Sequence, residues 1–175
     1  MTEVFVERRW PAPMSQQTMQ MMMAMGAGCL ALHRVAWCGS WLSSDGTESY
    51  CHFQGADAES VRIAGRDAPA AEERVWACRI HDAPSFSADE LRGSNVIVMR
   101  SFDEPTEAAA MRALEAAAAG LFEAHQVRFV RTHVSSNGRR MACLYRAPDE
   151  AAAARVQREA GLPFDLVRGV RQFGP

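Results

Sequence analysis

The sequence predicts an α+β fold: two tandem βαββαβ units packed sheet to sheet as a pseudo-dimeric α+β barrel. The first observation is that the chain matches itself without a gap at an offset of 92 residues. Val4 and Val6 fall on Val96 and Val98, Arg8 on Arg100, His33 on His125, Cys51 on Cys143, Asp57 on Asp149 and Arg79 on Arg171. The second is a repeated turn, "SSDG" at 43–46 and "SSNG" at 135–138. The third is that the local signals come in one order in both copies: strand, helix, strand, strand, helix, strand. The predicted boundaries are residues 1–82 for the first unit, 83–93 for a linker and 94–175 for the second. Each unit is of a size at which one small core is only marginally stable alone.

The elements follow in order. "EVFVERR" alternates as a strand. Ser15 is placed to cap a helix that runs to about Leu32. Val35 to Ser43 reaches the Asp-Gly turn, the strongest short hairpin signal, and "TESYCHFQ" returns from it. Asp57 opens a second helix, and Val75 to Ile80 close the unit. In the second copy Thr106 and Asp149 take the two capping positions. The linker lies within "HDAPSFSADELRG", rich in the residues that punctuate periodic segments. This order is the ferredoxin-like one, an antiparallel four-stranded sheet with both helices on one face.

Hairpin register sorts the side chains, because residues opposite each other across a ladder point the same way. Trp37, Trp41, Tyr50, His52 and Gln54 fall on one face; Cys38, Leu42, Cys51 and Phe53 fall on the other. The second copy sets Phe129, Arg131, His133 and Arg146 against Val130, Val134, Met141, Cys143 and Tyr145. The uniformly apolar faces are expected under the helices. The mixed faces carry the candidate chemistry, with Glu7 of the first strand brought near His52. As metal ligands the candidates are Glu7, His52 and His133. As general acid and base they are Glu7 and His52, with Trp37, Trp41, Tyr50, Arg131 and His133 binding the ligand.

Composition narrows the classes. With 19 basic and 21 acidic residues, the chain lacks the electrostatic footprint of a nucleic-acid or anionic-membrane binder. All its basic residues are Arg, so Schiff-base chemistry and phosphate-loop chemistry that need Lys are excluded. Five Cys without C-x-x-C spacing point to a reducing, cytoplasmic location. The charged start "MTEVFVERRW" and the absence of a long apolar run argue against export and membrane insertion.

"MQMMMAM" at 19–25 divides by the repeat. Met19 and Met22 fall on Met111 and Leu114, a helical core stripe. Met21, Met23 and Met25 fall on Ala113, Glu115 and Ala117, so they are extra in this copy and mark a contact with the linker, a ligand or a second chain, such as a homo-oligomer partner. His33 and His125 are expected to cap helix C-termini. Arg8 and Arg100 are expected at strand ends, binding carboxylates or carbonyls at the rim.

"FVERRWP" at 5–11, "SWLSSDGTESYCHFQGAD" at 40–57 and "CLYRAPDEAAAARVQREAGLPFDLV" at 143–167 resemble a widespread bacterial domain of unknown function, typified by a small nickel-binding protein with a dimeric ferredoxin-like fold. The resemblance implies a fused tandem repeat and allows a divalent metal such as nickel as cofactor. Where members of that family carry Glu and His, this chain has Gln54 and Arg146, then Ala64 and Val156, so any metal site is expected to be single, asymmetric and rebuilt from other residues, or absent.

Three functional classes stand on these residues. One is a protein that binds a small ligand or a nickel-like metal in one asymmetric site. Another is a cofactor-independent enzyme that acts on an apolar small molecule. The third is a non-catalytic interaction protein.

Overall fold

The computed structural model describes residues 1–175. The first repeat folds as β1 (Thr2–Arg9), α1 (Gln16–Leu32), β2 (Ala36–Ser43), β3 (Glu48–Gly55), α2 (Ala58–Ala64) and β4 (Glu72–Asp82). After the short α3 (Ala88–Arg92) come β5 (Val96–Ser101), α4 (Ala108–Ala117), α5 (Ala119–Ala124), β6 (Arg128–Ser135), β7 (Arg140–Arg146), α6 (Glu150–Glu159) and β8 (Leu166–Phe173). β1 lies between β3 and β4, and β5 lies between β7 and β8, all antiparallel. No helix is long and apolar enough to cross a membrane.

The repeated turn is built by side chains as well as by glycine. Asp45 Oδ1 accepts from Ser43 Oγ, Thr47 N and Thr47 Oγ1 at 2.7, 3.0 and 2.8 Å, and Ser43 Oγ accepts from Glu48 N at 2.9 Å. Asn137 and Ser135 repeat the arrangement. Gly46 and Gly138 sit at φ +73° and +70°, a region that disfavours a Cβ, and a Cβ at Gly46 would also come within 2.4 Å of the Met14 carbonyl oxygen. Ser15, Asp57 and Asp149 cap their helices as the sequence predicts, each accepting from a backbone N–H three residues on. Thr106 does not. The N-cap of α4 is Glu107, which makes no side-chain capping bond.

Two features overturn expectations. β2 carries a bulge: Trp37 pairs with Phe53, but Gly39, at φ +148°, pairs with His52. The extra residue, Cys38, breaks the two-residue alternation that places Trp37 beside Trp41. Trp37 instead packs with the helix-side core, its ring 5.9 Å from that of Phe173 and its Nε1 donating to Ser40 Oγ at 2.9 Å.

The second feature is the closing strand of each repeat. The chain divides into Met1–Cys78 with Arg171–Pro175, and Arg79–Val170. β4 has 11 residues but pairs with β1 only from Glu72 to Cys78, and β8 pairs with β5 only from Leu166 to Gly169. The ends that outrun their own sheet belong to the other compact unit. The expected fold, two tandem βαββαβ units packed sheet to sheet as a pseudo-dimeric α+β barrel, is corrected at its units, neither of which keeps the whole of its own last strand. The chain is α+β with eight strands and six helices, and each repeat's last strand is divided between two units.

Each unit has its own helix-side core. In the first, Val4, Val6, Val35, Cys51, Phe53 and Val61 form one cluster, and Trp10, Met19, Leu42 and Phe173 form a second. In the other unit a larger cluster joins Val96, Val98, Met111, Phe122, Cys143, Tyr145 and Val156. Burying such a side chain contributes about 1.5–3 kcal/mol, so these clusters hold helices to sheet.

Candidate functional site

Alternation along β1 puts Glu3, Phe5 and Glu7 on one face of the first unit's sheet, with His52 opposite Phe5 and Tyr50 opposite Glu7. Glu7 lies one step diagonally across the ladder from His52, and two pairs form on this face. His52 Nε2 bonds Glu3 Oε2, and Glu3 Oε1 accepts from Gln54 Nε2 at 2.8 Å. Glu7 Oε1 accepts from Trp76 Nε1 at 2.7 Å, and Arg74 stands 3.9 Å from its other oxygen. The Phe5 and Trp76 rings are 4.9 Å apart beside them, Trp41 is buried, and Tyr50 donates to Glu48 Oε2 at 3.0 Å. The Glu3–His52 couple can pass a proton, and its carboxylate orients the imidazole. Glu3 is absent from the sequence-derived site because no turn joins β1 to β3, so their register is not fixed by a count of residues.

In the other unit, His133 is wholly buried on β6 opposite Ala142. Arg131 forms a two-pronged ion pair, Nε to Asp82 Oδ1 at 2.6 Å and Nη2 to Asp82 Oδ2 at 2.9 Å, with its guanidinium 4.5 Å over the Phe86 ring. It clamps the segment after β4. Nowhere do three or more His, Cys, Asp or Glu side chains gather to hold a metal ion. With His52 bonded to Glu3 and Glu7 to an indole, the donors do not fit a nickel site.

The open space lies on the helix side. A cavity of about 410 Å³ in the first unit is lined by Arg8, Trp10, Phe53, Leu30, Cys29 and the methionines Met19, Met22, Met23 and Met25, with Gly26, Gly65 and Asp67 at its wall. Of the three extra methionines, Met23 packs on the core, whereas Met21 and Met25 are exposed. Arg8 is not at the rim as the sequence suggests. Its side chain is only 6% exposed, and Nε donates to Glu73 Oε2 at 2.6 Å.

Around the equivalent arginine of the second repeat the space is filled. Arg100, fully buried, donates through Nη2 to Tyr145 Oη at 3.1 Å and to Gln157 Oε1 at 2.8 Å, and through Nη1 to the Pro163 carbonyl. Tyr145 donates onward to Glu115 Oε1, which stands 3.8 Å from Arg100 Nη2. Burial raises the Glu115 carboxyl above its ordinary pKa, against the pull of Tyr145 and Arg100. Arg100 stays protonated, its pKa raised although burial works against the charge. Desolvation raises the thiols of Cys51 and Cys143, which makes them poor nucleophiles.

A second cavity, of about 600 Å³, lies in the second unit between α4–α5 and residues 83–85. It is lined by Phe122, Val127 and Phe129 with Arg112 and Glu115.

Comparison with known proteins returns a partial likeness. Residues 97–170 match the model of a family described as nickel responsive protein SCO4226-like, less than half of the chain. The crystal structure of SCO4226 from Streptomyces coelicolor A3(2) aligns at 16% identity over 42% of this chain and 91% of that one, with a TM-score of 0.38. An anthrone oxidase-like protein of known crystal structure aligns at 9% identity over 100% of this chain and 92% of that one, with a TM-score of 0.51; the likeness is one of fold. No curated protein matches. The second repeat is thus similar to a nickel-responsive family, while the donors of such a metal are not assembled in this chain.

Proposed function

We propose that this chain binds a small apolar organic molecule in the helix-side cavity of its first unit. The observation that carries the reading is the lining: four methionines, Trp10, Phe53 and Leu30 around about 410 Å³, with a single buried guanidinium. Small-molecule sites have this character, a volume of roughly 300–1,000 Å³, apolar walls and few polar groups. Methionine adapts to varied shapes and makes favourable contacts with aromatic rings. The match of the second repeat to a nickel-responsive family supports a binding role in general, and the failure of the donors to assemble turns that role from metal to organic ligand.

Gly26 supplies the test. It lies within α1 on the cavity wall, and a Cβ there meets nothing within 4 Å. Gly26→Leu should fill the cavity while stabilising the helix by about 0.5–1 kcal/mol. Titration with N-phenyl-1-naphthylamine, which fluoresces in apolar sites, should show one saturable site per chain that Gly26→Leu removes without lowering the unfolding midpoint. Undiminished dye binding by a folded Gly26→Leu protein would refute the assignment.

A further inference from the structure

We infer that the ligand of this cavity carries an uncharged oxygen acceptor, a carbonyl or a phenolic hydroxyl on an aromatic body, and that Arg8 holds it. The inference rests on the cavity being a binding site. It comes from comparing the two repeats residue by residue. Arg8 and Arg100 are equivalent, both buried beneath the helices, yet their terminal amines are treated differently. In the second repeat these amines meet a phenol oxygen, an amide oxygen and a backbone carbonyl. At the positions of Tyr145, Gln157 and Glu115 the first repeat has Phe53, Gly65 and Met23. The hydroxyl, the amide and the carboxylate have all gone, and Arg8 keeps only Glu73, on Nε.

Two Nη amines that donate to no protein acceptor therefore stand in the wall of an apolar cavity. Such donors cost free energy when dehydrated and unpaired, so a ligand that supplies an acceptor gains more here than at a surface. Gly65 keeps this end open, because a Cβ there would come within 2.5 Å of Arg8 Nη2. Arg100 shows the complement: its amines are occupied, and its Nε lacks a hydrogen-bond partner.

Charge decides between a neutral acceptor and a carboxylate. Glu73 already neutralises Arg8 at 2.6 Å, so a second carboxylate would be dehydrated without a free counter-ion. In the second repeat the oxygens within hydrogen-bond distance of the amines are likewise neutral, and the carboxylate of Glu115 stands farther off, at 3.8 Å. Trp10, Phe53 and the methionine sulfurs favour an aromatic body.

Three probes of similar outline test this: 2-acetylnaphthalene, 2-isopropenylnaphthalene and 2-naphthoate, titrated by calorimetry against the full chain. The ketone should bind about tenfold or more tighter than the hydrocarbon, as expected for a hydrogen bond to a charged donor. The naphthoate should bind more weakly than the ketone. Phe53→Tyr places the second repeat's own phenol within reach of Arg8 and should collapse the ketone-to-hydrocarbon ratio towards one; Arg8→Met should do the same. Equal affinity of ketone and hydrocarbon in the unaltered protein would overturn the role of Arg8 and leave the apolar site standing. Naphthoate binding tightest would overturn the neutral-acceptor assignment. Binding of none of the three would overturn both the site and its ligand class.

Discussion

Gln157 Oε1 accepts from Arg100 Nη2 at 2.8 Å, and both residues are fully buried. Gln157→Leu keeps much of the volume but leaves a dehydrated guanidinium amine short of an acceptor. The expected loss of stability is about 1.5–3 kcal/mol, seen as a lower chemical-denaturation midpoint with an unchanged slope.

The Glu3–His52 couple separates two carboxylates that lie on one face of β1. Glu3→Gln should shift the ring-proton NMR signals of His52 strongly, and Glu7→Gln should move them less. Glu7→Leu removes the acceptor of the Trp76 indole N–H; a cost of about 1–3 kcal/mol and a changed tryptophan emission are expected. Equal movement of His52 in both Gln variants would contradict the pairing.

Glu115 gives stability a definite dependence on pH. Burial raises its folded-state pKa above the ordinary value of 4.5, so the folded chain holds this proton more tightly than the unfolded chain does. Its contribution is therefore fully present below the ordinary carboxylate range and is lost as pH rises through that range towards the raised value. Unfolding free energies of the native chain and of Glu115→Gln, compared at pH 4 and pH 7, should show the native chain losing ground to the variant at the higher pH.

The five cysteines divide by burial. Cys29 and Cys38 are half-buried, whereas Cys51, Cys78 and Cys143 are buried, with the thiols of Cys51 and Cys143 raised by desolvation. Maleimide labelling of the native chain at pH 8 should modify Cys29 and Cys38 and reach the other three only on unfolding. Cys29 lines the first unit's cavity, so 2-acetylnaphthalene should slow its labelling and leave that of Cys38 unchanged.

Helix caps test what was readable from sequence. Asp149→Ala removes the bond accepted from Ala152 N at 2.7 Å and should cost about 1 kcal/mol. Thr106→Ala should cost clearly less, because Thr106 caps no helix and its hydroxyl instead donates to the Glu104 carbonyl at 3.2 Å. Asp57, Asp149, Ser15 and the two glycine turns were legible because each acts within three or four residues of itself. The repeat made the element order legible for the same reason, since one copy checks the other. Trp37 was misplaced because a bulge leaves no mark in alternation beyond a small residue, here Gly39. Glu3 was missed because the pairing of β1 with β3 depends on packing between residues 39 to 53 positions apart. The cavity was half legible: the surplus of Met23 over Glu115 pointed to it, but the unoccupied Nη donors of Arg8 emerge only when Phe53 and Gly65 are seen around the guanidinium.

The divided closing strands bear on how this gene duplication can be handled, and on whether it can be reversed. Phe173, near the chain's end, packs with Trp10, Met19 and Leu42 and lies 5.9 Å from the Trp37 ring. A fragment ending at residue 82 would thus be born without part of its own interior, however complete its βαββαβ pattern looks on paper. Scission between the two copies would part each compact unit from one end of a strand that it now holds, so neither half carries a whole unit away with it.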